Sequence, residues 1–121
     1  MSSRESAHAI ALRYHDAWSS RRVADAVELL DDALAVEVPV NHYPTRASFA
    51  AALASFGSMV EQVELLSHLG GPDEAMLLYD MQVRGVGTLR VAEHFAVSEG
   101  RIVRIRQVHD TAPIRAVGLG A

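Results

Sequence analysis

The stretch from Thr88 to Asp110 places the tightest constraint on what this chain can fold into. Apolar and polar residues alternate through Val91, Glu93, Phe95 and Val97, break at Ser98-Glu99-Gly100, and resume an extended pattern from Ile102 to Asp110. Alternation with period two marks a strand with one buried face, and a short interruption containing glycine joins two such strands as a hairpin. Each arm is about ten residues, against about five or six for an ordinary strand, so the pair is long enough to curl into the wall of a concave surface. On that wall Glu93 shares the face of Val91, Phe95 and Val97. A carboxylate among apolar neighbours is costly unless it is paired, hydrogen-bonded or protonated. Glu93 is therefore a candidate for function, and so is Asp110 at the end of the second arm.

The rest of the chain supplies what covers this hairpin. Ser2 and Glu5 have the spacing of a capping box, and Ala7, Ile10, Ala11, Tyr14, Ala17 and Trp18 then recur at helical spacing. A second helix is expected over Val23 to Leu30, ended by Asp31-Asp32, followed by a strand from Ala33 to Val40 that stops near Pro39. Thr45 is the expected N-cap of a third helix that turns Phe49, Ala52, Leu53 and Phe56 inward. Strands are expected over Val60 to Leu69 and Ala75 to Arg84, with turns at Gly70 to Asp73 and Gly85 to Gly87. After Asp110 no period is legible. The order of elements predicts an α+β fold: a cone-shaped, curved, mostly antiparallel sheet packed against three helices. Residues 1–113 make the domain, and 114–121 are read as a flexible C-terminal tail.

Composition excludes several functions. All eleven basic residues are arginine, fifteen acids bring the formal net charge to −4, and no basic stripe exists for nucleic acid to follow. The absence of cysteine removes disulfides, thiolate nucleophiles and thiolate metal sites, and fits a reducing, cytoplasmic setting. The N-terminal stretch is charged and amphipathic, so neither a signal peptide nor a membrane span is expected. The histidines, including His42, His94 and His109, do not have the spacing of a common metal site. Gly85-Val86-Gly87 does not open a helix, so it is not a dinucleotide loop. No metal and no cofactor are expected.

The segments RYHDAW, LLDDALAVEVP, ASFAAALASF and AEHFAVSEGRIVRIRQVHD together resemble the SnoaL-like branch of the nuclear transport factor 2-like (ketosteroid isomerase-like) superfamily, over roughly residues 8 to 113. The resemblance implies a bent sheet closed on one side by three helices over an apolar cavity, often assembled as a dimer through the sheet. It also implies a range of chemistries, from polyketide cyclases, ketosteroid isomerases and dehydratases to limonene-type epoxide hydrolases, and so identifies a fold better than a reaction. By the ketosteroid isomerase pattern Tyr14 and Glu93 match the oxyanion-hole pair, while the position of the aspartate base falls on Val38. By the epoxide hydrolase pattern Asp80 and Asp110 match the two aspartates, while the arginine position is Leu78. The polyketide cyclase pattern again puts its base at Asp110.

The expected catalytic residues are thus Asp110, Glu93 and Tyr14, and the expected substrate-binding residues are Trp18, Asp80, Val38, Phe56 and His109. Five of them have a structural alternative. Tyr14 and Trp18 are also ordinary core residues; Asp110 can simply end its strand; alternation sends Asp80 away from Tyr79, Met81 and Val83; and Glu93 can be paired with Arg84, Arg104 or Arg106. The expected function is binding of a small apolar molecule with cofactor-free acid/base chemistry, of cyclase, isomerase, dehydratase or epoxide hydrolase type. The alternative is a non-catalytic ligand-binding or dimerisation module. A homodimer is expected, with Val103, Ile105 or their alternates on the outer face of the sheet.

Overall fold

The computed structural model describes residues 5–117. The first helix, α1 (Ala7–Ser19), begins later than its capping-box signal at Ser2: Ser6 is the N-cap, its hydroxyl accepting from the Ala9 amide at 3.1 Å. Ser2 lies outside the described residues. The Ala7 and His8 amides, which no residue inside the helix can serve, donate to the carbonyls of Pro72 and Gly71 at 3.0 and 3.3 Å. This seats the N-terminus of α1 on a turn of the sheet. Gly70 allows the approach, since a Cβ there would stand 3.0 Å from the Cβ of His8 and 2.9 Å from that of Ala75.

A short α2 (Val23–Glu28) follows, and β1 (Leu30–Glu37) starts earlier than alternation suggests. Leu30 pairs with Ile102, whose amide donates to the Leu29 carbonyl at 2.8 Å. Asp31 and Asp32 are therefore in the strand, not at a helix end, within a register irregularity between Leu30 and Ala35. The chain then runs through α3 (Arg46–Gly57), β2 (Val60–Gly70), β3 (Glu74–Val83), β4 (Gly87–Ser98), β5 (Arg101–Val108) and α4 (Ala112–Ala116). Thr45 caps α3 as expected, in a reciprocal arrangement with Ser48. The fourth helix is an addition to the three expected: Ile114 is buried in the core. Residues 118–121 of the expected tail lie outside the described range.

The five strands form one sheet in the order β1-β5-β4-β3-β2, with β1 parallel to β5 and every other pair antiparallel. The fold is α+β, a curved, mostly antiparallel sheet with helices on its concave side. The β4–β5 hairpin turns on Glu99 and Gly100 with φ of 54° and 77°, the left-handed pair that a tight two-residue hairpin demands. Inward residues on β3 and β4 (Leu77, Tyr79, Val91, Phe95) meet Ile10, Ala11, Tyr14 and Trp18 of α1 in one core. Among the described residues no helix is long and apolar enough to cross a membrane.

Two placements differ from expectation. Ile105 is fully buried and faces α1, because Phe95 is its partner across the hairpin; the exposed apolar residues of the outer face are Leu69, Met76 and Val108. Phe49 is core, but Leu53 and Phe56 are half-buried. They border a cavity and so lack neighbours on one side. Truncation should separate the two environments: Ile105→Ala is expected to cost about 2 to 5 kcal/mol, and Leu53→Ala about 1 kcal/mol, since the space beside it is already open. Urea midpoints at unchanged m-value measure both.

Candidate functional site

Strand pairing brings the polar residues of the concave face together. On β4, Glu93 lies opposite Leu77 of β3 and Gln107 of β5. Tyr79 is two residues further along β3, on the same face, and its hydroxyl reaches diagonally to donate to Glu93 Oε1 at 2.8 Å. Gln107 Nε2 donates to Oε2 at 2.9 Å. Glu93 is 1% exposed, and among the described residues no arginine reaches it: Arg84 donates to the Ser58 carbonyl and Arg106 stands 3.4 Å from Glu37. The pairing with arginine that would have made Glu93 structural is absent from this part of the chain.

Burial raises the Glu93 carboxyl from 4.5 to about 6, opposed by the hydrogen bonds from Gln107 and Tyr79. Burial likewise pushes both tyrosine hydroxyls, Tyr14 and Tyr79, well above their ordinary value, and the nearby Glu93 charge adds to it. Tyr14 comes from α1 and packs edge-on to Phe95. These four side chains form the floor of a cavity of about 280 Å³. Its walls come from α3 (Phe49, Leu53, Phe56) and from the β1–α3 connection (Val38, Val40, Tyr43); Asn41, Ser55 and His109 also line it. The volume is at the small end of the roughly 300–1,000 Å³ typical of ligand sites.

Of the residues expected from sequence, Tyr14, Glu93, Trp18, Val38, Phe56 and His109 all line this cavity. Asp110 and Asp80 do not. Beyond Ile105 the face alternates, so Gln107 and His109 turn inward and Asp110 turns out; it is exposed, and its carboxylate accepts from the Ala112 amide at 3.0 Å, at the start of α4. Asp80 projects from the convex face opposite Arg90, which holds it in two hydrogen bonds of 2.7 and 2.9 Å. That guanidinium keeps the Asp80 carboxyl below its usual range.

Sequence reasoning missed Tyr79 and Gln107. Tyr79 was legible as an inward residue but not as a hydrogen-bond donor, and Gln107 could have been found by carrying the alternation two residues past Ile105. It also missed His15, which is buried beside Tyr79 (ring centroids 4.7 Å apart) and Trp18 (5.5 Å). The Nδ1 atom of His15 has no hydrogen-bond partner among the described residues, and burial lowers the imidazole from 6.5 to about 4. It is neutral at physiological pH. Among the described residues no three acidic or histidine side chains converge as a metal site would need.

The sequence profile of the SnoaL-like domain matches residues 11–105. No curated protein matches the sequence. Among solved structures, a protein from Kribbella flavida DSM 17836 is similar over 92% of each chain, with 28% identity and a TM-score of 0.87. An NTF2-like protein of unknown function from Cytophaga hutchinsonii ATCC 33406 matches 95% of this chain and 99% of its own, at 14% identity and a TM-score of 0.79. A proposed ketosteroid isomerase from Kribbella flavida DSM 17836 matches 88% of this chain and 78% of its own, at 19% identity and a TM-score of 0.72. At such identities the last two likenesses speak to the fold alone.

The buried acid makes a signed prediction. A carboxyl raised from 4.5 to about 6 on folding binds its proton more tightly in the folded state. Its stabilising effect is complete below pH 4.5 and is lost as pH rises through 6. At about 1.4 kcal/mol per unit the loss is about 2 kcal/mol. His15 acts in the opposite sense, losing stability as pH falls from 6.5 toward 4, so the comparison has to be made at one residue. Glu93→Gln, relative to the unsubstituted protein, should gain about 2 kcal/mol in stability between about pH 4 and pH 7.5. A gain that does not change with pH would mean that Glu93 is not desolvated in the folded protein.

Proposed function

The chain belongs to the SnoaL-like domain family, within the NTF2-like superfamily, and from the cavity of this fold we propose a small-molecule site where Glu93 exchanges a proton with a largely apolar ligand. The observation that carries this reading is a buried carboxyl group on the cavity floor with two neutral donors and, among the described residues, no cation. A base works best when its pKa lies near the working pH. At about 6, Glu93 is mostly ionised at neutral pH and can still return the proton it takes.

The same geometry selects among the chemistries of the family. An acid that donates to an oxyanion has to be protonated, yet both oxygens of Glu93 accept hydrogen bonds, an arrangement that favours the carboxylate. Glu93 is therefore assigned the role of base. Tyr14, whose hydroxyl is held by no described residue, is assigned the role of donor to the ligand. Water addition between paired aspartates has no support, because Asp80 is tied to Arg90 and Asp110 is on the outside. Proton transfer at carbon, as in an isomerisation or cyclisation, is the reaction class that uses the groups present.

We assign the convex face of the sheet to a homodimer. Leu78, Ala92 and Val108 lie side by side across three strands, and Leu69 pairs with Met76 one row away. The row is bounded by the pairs Asp80–Arg90 and Glu74–His94, an apolar centre with a polar rim.

Two measurements test these assignments. Hydrogen–deuterium exchange at carbons next to C=O or C=N, followed by NMR over a panel of small apolar ketones and cyclic imines, should be accelerated by the protein. Glu93→Gln should lower that rate by about 10²- to 10⁴-fold; equal rates for the two proteins would remove the assignment of Glu93 as base. For the dimer, sedimentation should show a two-chain species that Val108→Glu converts to monomer, and a monomer at every concentration before substitution would end that assignment.

A further inference from the structure

The lining of the cavity is unusual in what it gathers and in what it leaves out. Six of the seven aromatic residues in the chain line it: Tyr14, Trp18, Tyr43, Phe49, Phe56 and Tyr79. None of the described arginines does, although arginine is the only strongly basic residue in the sequence. The groups facing Glu93 are Tyr79 from β3, Gln107 from β5 and Tyr14 from α1, all uncharged, and Tyr43 and His109 are the remaining titratable residues of the lining.

From this lining we propose that the ligand is an organic cation, a small apolar molecule protonated at nitrogen, which pairs with Glu93 inside an aromatic wall. The inference rests on the preceding reading of the cavity as a small-molecule site and names the class of molecule it takes. Three observations favour a cation. A carboxylate removed from water without a positive partner is a standing cost, and a ligand ammonium or iminium would relieve it. Aromatic faces attract cations through their quadrupoles. An anion would meet Glu93 and none of the described arginines.

The fourth consideration comes from the reaction. Taking a proton from a neutral ketone leaves a negative charge on oxygen, which needs donors aimed at it. Tyr79 and Gln107 already donate to Glu93, which leaves Tyr14 as the donor on the floor. A protonated imine has no such requirement. Its carbon–hydrogen bond next to C=N⁺ breaks, the proton passes to a Glu93 carboxylate oxygen, and the bond pair becomes the C=C of a neutral enamine as the C=N⁺ pair moves to nitrogen. One negative and one positive charge become none, and a cavity with few polar groups favours that change.

The test uses three probes of one shape on the full chain at pH 7.5: 2-phenylethylamine, 2-phenylethanol and phenylacetate, titrated against Trp18 fluorescence and by calorimetry. The amine should bind at least tenfold more tightly than the alcohol, and phenylacetate more weakly than either. Glu93→Gln should bring the amine down to the level of the alcohol and leave the alcohol unchanged. If the alcohol binds as well as the amine to the unsubstituted protein, or phenylacetate better than both, the cationic class is wrong while the small-molecule site stands. If none of the three binds, this inference falls together with the reading it rests on.

Discussion

The register of β4 between β3 and β5 is the constraint on which the rest depends. Glu74 to Val83 pair without interruption against Gly87 to Ala96. Side chains on a strand alternate with a period of two, so a slip of one residue would move Glu93 to the convex face and bring His94 into the core. Two devices hold the register: the left-handed turn at Glu99-Gly100 and the bulge between Ala96 and Val97 that lets the long hairpin bend. With the register set, the hydrogen bonds from Tyr79 and Gln107 to Glu93 follow from cross-strand geometry alone.

The Glu93 cluster is satisfied in hydrogen bonds and unsatisfied in charge. Two neutral donors give the carboxylate the contacts that burial takes from water, but neither supplies a positive charge. This sets it apart from Asp80, which sits at the surface of the same sheet with a guanidinium in place. The chain has arginines enough to neutralise a buried acid, yet among the described residues none of them reaches Glu93. A polar group retained in a core at the expense of stability is the pattern expected of a site kept for its chemistry.

Helix α1 joins this cluster to the rest of the fold. Its N-terminus is seated on the β2–β3 turn through Gly71 and Pro72, and its body carries Tyr14 and Trp18 over β3 and β4. His15, one residue after Tyr14, packs its uncharged ring on Tyr79 and so backs the donor that holds Glu93. Across the opening, α3 contributes Leu53 and Phe56, both half-buried and both lining the cavity.

Local pattern in the sequence determined the fold class and the elements other than α4. The period-two alternation of the hairpin, the helical spacing of Ala7 to Trp18 and the Thr45 cap are each set by residues within a few positions of one another, and each is present in the structure. The inward face of Glu93 was legible for the same reason, as were Tyr14, Trp18 and Phe56 as residues of the concave side, while Val38 followed from the family resemblance. The partners of the acids were not. Whether Glu93 meets an arginine or a tyrosine and a glutamine, whether Asp110 turns in or out, and whether Asp80 is free or held by Arg90 depend on which residues of separate strands stand opposite one another. Strand register and bulges decide that, and they arise from the packing of the whole sheet against α1, where one residue of offset exchanges the two faces.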